Sequence, residues 1–164
     1  MYNLGILTSS DMGAEGRRED TSGQAIREML LGMDFTLARY EIVPDEPSVI
    51  ASRLSEWADS GEVDLLVTTG GTGLGPRDVT PEATLSVIDR QVPGISEAMR
   101  QAGLRHTPMA MLSRGVSGLR GHCLIVNLPG SPRAVEECLE AIVDVLPHAL
   151  ETLTSARVET HPPH

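Results

Sequence analysis

Val63-Asp-Leu-Leu-Val-Thr-Thr-Gly-Gly-Thr-Gly-Leu-Gly-Pro-Arg-Asp-Val-Thr-Pro-Glu-Ala83 decides how this chain is read. Leu65 to Thr68 is a short continuous apolar run, the pattern of a strand buried on both faces. It enters a glycine-rich loop that carries Arg77 and Asp78, and a helix opens at Thr80-Pro81. Pro81 suits a first helical position, because its missing N–H would be unpaired there anyway, and Thr80 reads as the cap. Strand, glycine loop and helix start in this order build a backbone cradle for phosphate. Asp78 beside that cradle points to Mg²⁺, which is usually held by one or two carboxylates plus substrate phosphates. No Gly-Lys-Ser/Thr follows the loop, and the dinucleotide fingerprint spacing is absent, which disfavours P-loop hydrolysis and nicotinamide chemistry.

Outward from this stretch, apolar strands and amphipathic helices alternate, the pattern of an α/β fold with a largely parallel sheet. Leu4 to Thr8 reads as the first strand, followed by a polar loop from Ser9 to Asp20. The next helix places Ile26, Met29, Leu30 and Met33 on one face. Phe35 to Val43 reads as a strand with Leu37 and the ring of Tyr40 facing the core. Ser48 is the expected cap of a helix carrying Ile50, Leu54 and Trp57. After Pro93-Gly94 comes a short helix with Ile95, Ala98, Met99 and Ala102, then a short strand over 110–112 and a glycine-spaced loop over 114–121. His122 to Leu128 is a second buried strand. Pro129-Gly130-Ser131-Pro132 then opens the longest predicted helix, from Val135 through Val145 to Ala149. Residues 1–164 read as a single domain.

Composition narrows the partners. The chain carries 23 Asp and Glu against 13 Lys and Arg, and Tyr2, Phe35, Tyr40 and Trp57 are its aromatics. A nucleic-acid binder needs a basic footprint and rings on which bases stack, so nucleic acid is disfavoured. No apolar run reaches the roughly 18–20 residues of a membrane span, and the N-terminus lacks a signal-like segment; a cytoplasmic location is expected. Cys123 and Cys138 read as small core residues. His161 and His164 lack the spacing of zinc ligands.

Asp45 and Asp78 each follow a predicted strand, at the sheet end where open α/β folds bind ligands. Together they could hold Mg²⁺, although Asp45 alone also suits the turn Pro44-Asp45-Glu46-Pro47. The turn after Asn127 exposes helix N–H groups beside Ser131, suiting either an anion or simple capping. Arg77, Arg114, Arg120 and Arg133 fall on predicted ligand-side loops, and arginine forks suit phosphate.

These pieces resemble the molybdopterin adenylyltransferase family of molybdenum cofactor biosynthesis. The likeness rests on Thr8-Ser-Ser-Asp11, Asp20-Thr-Ser-Gly23, Val43-Pro-Asp-Glu46, Thr68-Thr-Gly-Gly-Thr-Gly73, Pro76-Arg-Asp-Val-Thr-Pro-Glu-Ala83, Leu112-Ser-Arg114 and Asn127-Leu-Pro-Gly-Ser-Pro132, and covers nearly the whole chain. It implies a three-layer α/β/α sandwich with a mostly parallel central sheet, assembled as a homotrimer. The implied reaction moves AMP from Mg-ATP to the terminal phosphate of molybdopterin, releasing pyrophosphate. Asp45 and Asp78 become the catalytic, metal-linked carboxylates. Gly70, Gly71, Thr72, Gly73, Asn127, Pro129, Gly130 and Ser131 would hold the nucleotide, and Ser10, Asp11, Ser113 and Arg114 the pterin side. A downstream molybdenum-insertion protein is an implied partner. Some relatives keep the fold but alter the Pro-Arg-Asp-Val-Thr segment; here it is intact, which favours the adenylyltransferase branch, and the alternative of a non-catalytic carrier or scaffold would need no pair of metal-positioning carboxylates.

Overall fold

The computed structural model describes the backbone of residues 1–160 and the side chains of residues 1–155; the expectations for His161 and His164 lie outside them. Six strands form one sheet in the order β2-β1-β3-β6-β5-β4. They are β1 (Tyr2–Ser9), β2 (Phe35–Val43), β3 (Leu65–Thr69), β4 (Arg90–Gln91), β5 (Ser117–Arg120) and β6 (Cys123–Leu128). The three pairings among β2, β1, β3 and β6 are parallel, and β5 and β4 add an antiparallel edge.

The period-2 alternation of strand side chains sorts the core into two layers. Leu4, Ile6, Leu65, Val67, Leu124 and Val126 pack on one face against α2 (Thr21–Leu30), α5 (Pro93–Leu104), α6 (Pro132–Ile142) and α7 (Leu146–Thr160). Leu7, Leu66, Cys123 and Ile125 face the other way, toward α3 (Pro47–Asp59) and α4 (Thr80–Val87). The expected α/β/α sandwich is the observed fold. Its first crossover, through α2, covers one face and the second, through α3, covers the opposite face. The switch point therefore lies between β1 and β3, and the crevice outside the carboxyl ends of such strands is where open α/β sheets bind ligands.

The structure departs from the sequence pattern at several points. The predicted loop over 114–121 contains β5, folded onto β6 across Gly121 (φ 56°) and His122. The short strand expected over 110–112 is instead a 3₁₀ turn (Pro108–Leu112). Proline favours a first helical turn, and the Thr107 hydroxyl accepts from the Met109 N–H. The long helix predicted after Pro132 is broken. Pro147 cannot supply an N–H in a helix interior, so the chain tightens into 3₁₀ over Val143–Val145 and restarts, leaving Val145 exposed. Met33 lies beyond α2, after Gly32 (φ 93°), and is exposed. Tyr40 faces outward on edge strand β2 with the Arg27 guanidinium 4.4 Å from its ring centroid. Helix α3 begins at Pro47 rather than after Ser48. The polar loop after β1 holds one short helical turn, α1 (Asp11–Ala14), capped by Ser10. Burial pushes the thiols of Cys123 up to about 12 and Cys138 up to about 11, so both remain neutral core side chains.

Candidate active site

The parallel strands end level, with Ser9 beside Val43, Thr8 beside Thr69, and Thr69 beside Leu128. The loops that follow β1, β2, β3 and β6 consequently meet at one rim. They enclose a polar cavity of about 250 Å³ bordered by Ser9, Ser10, Asp20, Asp45, Gly70, Gly71, Asp78 and Gly130. Asp45 and Asp78, read from separate loops, thus face the same space.

Gly70 and Gly71 form its floor and turn with positive φ, 91° and 70°. At Gly70 a Cβ would stand 2.4 Å from the Ser9 carbonyl oxygen, and at Gly71 it would stand 2.3 Å from the Thr80 Oγ1. Only glycine permits both the turn and the approach. Thr80 is not the expected cap. It lies inside α4, donates its hydroxyl to the Gly70 carbonyl (3.0 Å), and its N–H bonds the Gly71 carbonyl (3.1 Å). The Thr69 hydroxyl donates to the Pro129 carbonyl (2.6 Å), which ties the two glycine turns together.

Asp45 is held from three sides. The Ser9 hydroxyl donates to its Oδ1 (2.6 Å), the Asp11 N–H donates to its Oδ2 (2.9 Å), and its own N–H returns a bond to the Asp11 carboxylate. Arg77 grips that carboxylate with Nε and Nη2 (3.0 and 2.9 Å) and reaches Glu46 (3.0 Å), which holds the Asp11 carboxyl below the usual carboxylate range. Asp78 accepts the Gly75 N–H (2.9 Å) and lies so close to Gly73 and Gly75 that a Cβ at either would be 2.9 Å from its Oδ2. Two hard carboxylates, with lone pairs left over and serine hydroxyls alongside, form a donor set that suits Mg²⁺ completed by phosphate oxygens.

A second cavity, of about 270 Å³ and mainly apolar, opens between α5, the 3₁₀ turn and α6 beneath Asn127, Pro129 and Ser131. Met99, Met109 and Cys138 supply its apolar wall and Ser113 borders it.

A family model described as a probable molybdopterin binding domain matches residues 5–148. The chain belongs to this molybdopterin-binding domain family. It is 43% identical to the molybdopterin adenylyltransferase of Helicobacter pylori, covering 92% of this chain and 87% of that one. Identity to the molybdopterin adenylyltransferase of Escherichia coli K12 is 38%, covering 97% and 89%. The crystal structure of the molybdopterin biosynthesis enzyme MoaB of Thermus thermophilus superposes with a TM-score of 0.90 at 58% identity, covering 94% and 98%.

Within this family fold, the expected site residues divide between the two cavities and the walls around them. Ser10 borders the polar cavity and caps α1, whereas Asp11 braces Asp45 from behind. Thr72 and Gly73 lie farther along the loop, held by Arg114. Ser131 borders the apolar cavity and caps α6. The amide of Asn127 is engaged inside the fold. It donates to the hydroxyls of Thr68 (2.9 Å) and Thr84 (3.0 Å) and accepts from the Val116 N–H (3.1 Å), which joins β3, α4 and the segment leading into β5 to β6 under the rim.

The four arginines read as a phosphate cluster are spread apart. Arg77 serves Asp11, and Arg114 serves the glycine loop. Arg133 pairs one helical turn on with Glu137. Arg120 sits opposite Cys123 at the amino end of β6, away from the rim, paired with Asp59 (2.9 Å). The cation at the polar cavity is Arg18, which the sequence reading passed over, and it makes no ion pair among the described residues. Asp20 was also missed as a cavity residue. It accepts from the hydroxyls of Thr8 and Tyr40 and from the Gly23 N–H as the cap of α2. The available signal was its place in Asp20-Thr-Ser-Gly23 at a helix start next to the rim.

Proposed function

We propose that this protein is a molybdopterin adenylyltransferase that moves AMP from ATP to the terminal phosphate of molybdopterin and releases pyrophosphate. The observation that carries the reading is the convergence of Asp45 and Asp78 on one polar cavity floored by Gly70 and Gly71. The molybdopterin phosphate oxygen attacks the α-phosphorus of ATP as the bond from that phosphorus to the oxygen bridging the β-phosphate breaks. A phosphate monoester has its second pKa at about 6, so the nucleophile is largely ionised at neutral pH and needs no dedicated base. What the protein supplies is alignment and relief of charge. The loop Gly71–Gly73 and the start of α6 present N–H groups to phosphates, and Arg18 adds a cation. Asp45 and Asp78 would hold Mg²⁺, which neutralises the triphosphate when bound. We place the pterin in the apolar cavity beside Ser113, one step from the phosphates.

No helix among the described residues is long and apolar enough to cross a membrane. We place the reaction in the cytoplasm, with a downstream molybdenum-insertion protein receiving the adenylylated product. A homotrimer is the proposed assembly, and it would cover exposed apolar side chains such as Leu104, Met111 and Leu112.

Purified protein given molybdopterin, ATP and Mg²⁺ should form adenylylated molybdopterin and pyrophosphate in equal amounts. Tight molybdopterin binding without product would replace this reading with that of a carrier. Phosphate release from ATP without molybdopterin would replace it with that of a hydrolase.

A further inference from the structure

Arg114 reaches across the rim and bonds four points of the segment from Thr72 to Glu82. Its N–H donates to the Thr72 carbonyl (2.9 Å), its Nε to the Gly73 carbonyl (2.7 Å), its Nη2 to the Asp78 carbonyl (2.7 Å), and its Nη1 pairs with Glu82. Three of the five guanidinium N–H groups, one on each nitrogen, are therefore committed within the protein. We propose that Arg114 is a positioning residue that clamps the glycine-rich loop, and that it is not a contact for the pterin. The proposal rests on the reading of this loop as the nucleotide cradle.

In a planar trans peptide the C=O and the next residue's N–H point in opposite directions. Holding the carbonyls of Thr72, Gly73 and Asp78 on the Arg114 side turns the N–H groups of Gly73, Leu74 and Val79 away from it. Those three N–H groups find no acceptor among the described residues and so remain available to an anion. The same grip fixes the backbone at Asp78, whose carboxylate borders the polar cavity. A loop rich in glycine has the largest conformational freedom to lose on ordering. One rigid fork spanning it supplies the order before substrate arrives. Lysine cannot reproduce this, because a single ammonium lacks the planar fork that addresses separate acceptors together. Glu82 completes the clamp, and the Arg114 guanidinium holds its carboxyl below the usual carboxylate range.

Amide hydrogen exchange reads the clamp without any substrate. In Arg114→Ala, exchange at the hydrogen-bonded amides of Gly75, Asp78 and Thr80 should rise by about tenfold or more while β3 and β6 amides are unchanged. The affinity for a non-hydrolysable ATP analogue should weaken by about tenfold, and that for molybdopterin should stay within about twofold. Arg114→Lys and Glu82→Gln should move exchange and nucleotide affinity the same way by about threefold or more, which keeps the test usable where Arg114→Ala does not fold. Unchanged loop exchange overturns the clamp. A loss of molybdopterin affinity with the loop still protected makes Arg114 a substrate contact instead. Wild type that binds neither small molecule defeats the functional reading, while the exchange data still decide the clamp.

Discussion

Asp78→Asn is expected to lower kcat for adenylyl transfer by about 10²–10³-fold, the usual cost of removing one preorganised charge-stabilising group. The substitution is chosen to separate charge from shape. Asparagine fills the slot against Gly73 and Gly75, where even a Cβ would stand 2.9 Å from the Asp78 Oδ2. Its amide oxygen can still accept the Gly75 N–H. Fold, melting temperature and molybdopterin affinity should consequently remain close to wild type, and the loss should appear in the chemical step. Single-turnover kinetics beside a thermal melt and a molybdopterin titration measure all three. Activity above about a tenth of wild type would remove Asp78 from the reaction, since one tenth corresponds to only ~1.4 kcal/mol of transition-state stabilisation.

Gly70→Ala carries the largest expected effect on stability. At φ 91° any L-residue is strained, and the added Cβ would lie 2.4 Å from the Ser9 carbonyl, a backbone atom at the end of β1 that cannot rotate away. Strain of roughly 1–2 kcal/mol and overpacking of roughly 1–3 kcal/mol suggest a loss of about 2–5 kcal/mol. For a chain of this size that lowers Tm by about 5–15 °C. Ser9 also holds Asp45, so any relief by moving Ser9 should reduce turnover as well. Gly16→Ala is the control. Its φ is 72°, but nothing lies within 4 Å of the new Cβ, so strain acts there alone. Equal melting temperatures for the two variants would show that the approach of Gly70 to Ser9 contributes nothing.

The rim was legible because both of its central turns follow strands buried on two faces. Leu65–Thr69 and Cys123–Leu128 have no polar alternation to confuse them, and each runs into glycine and a helix-starting proline. Asp45 and Asp78 could be placed because strand order alone determines where such loops gather. The arginines could not be read in the same way. Arg77 and Arg114 lie on the expected loops, but their acceptors, Asp11 and the carbonyls of Gly73 and Asp78, are decided by tertiary approach and not by spacing. Strand β5 was missed because Gly118 weakens its pattern. That glycine is needed for close packing, since a Cβ there would stand 2.6 Å from the Ile88 side chain and 2.7 Å from the Arg90 carbonyl. Asn127 borders the apolar cavity at the rim, but the bonds of its amide to two threonine hydroxyls depend on tertiary approach and are not legible in spacing.

The most direct test is a Mn²⁺ titration followed by electron paramagnetic resonance, in the presence of a non-hydrolysable ATP analogue. Wild type should bind one Mn²⁺ per chain. Asp45→Asn and Asp78→Asn should each weaken it by about tenfold or more, and the double variant should lose less than the sum of the two, as expected for groups sharing one ion. Mn²⁺ affinity unchanged in both single variants would contradict a shared metal-nucleotide site at this rim.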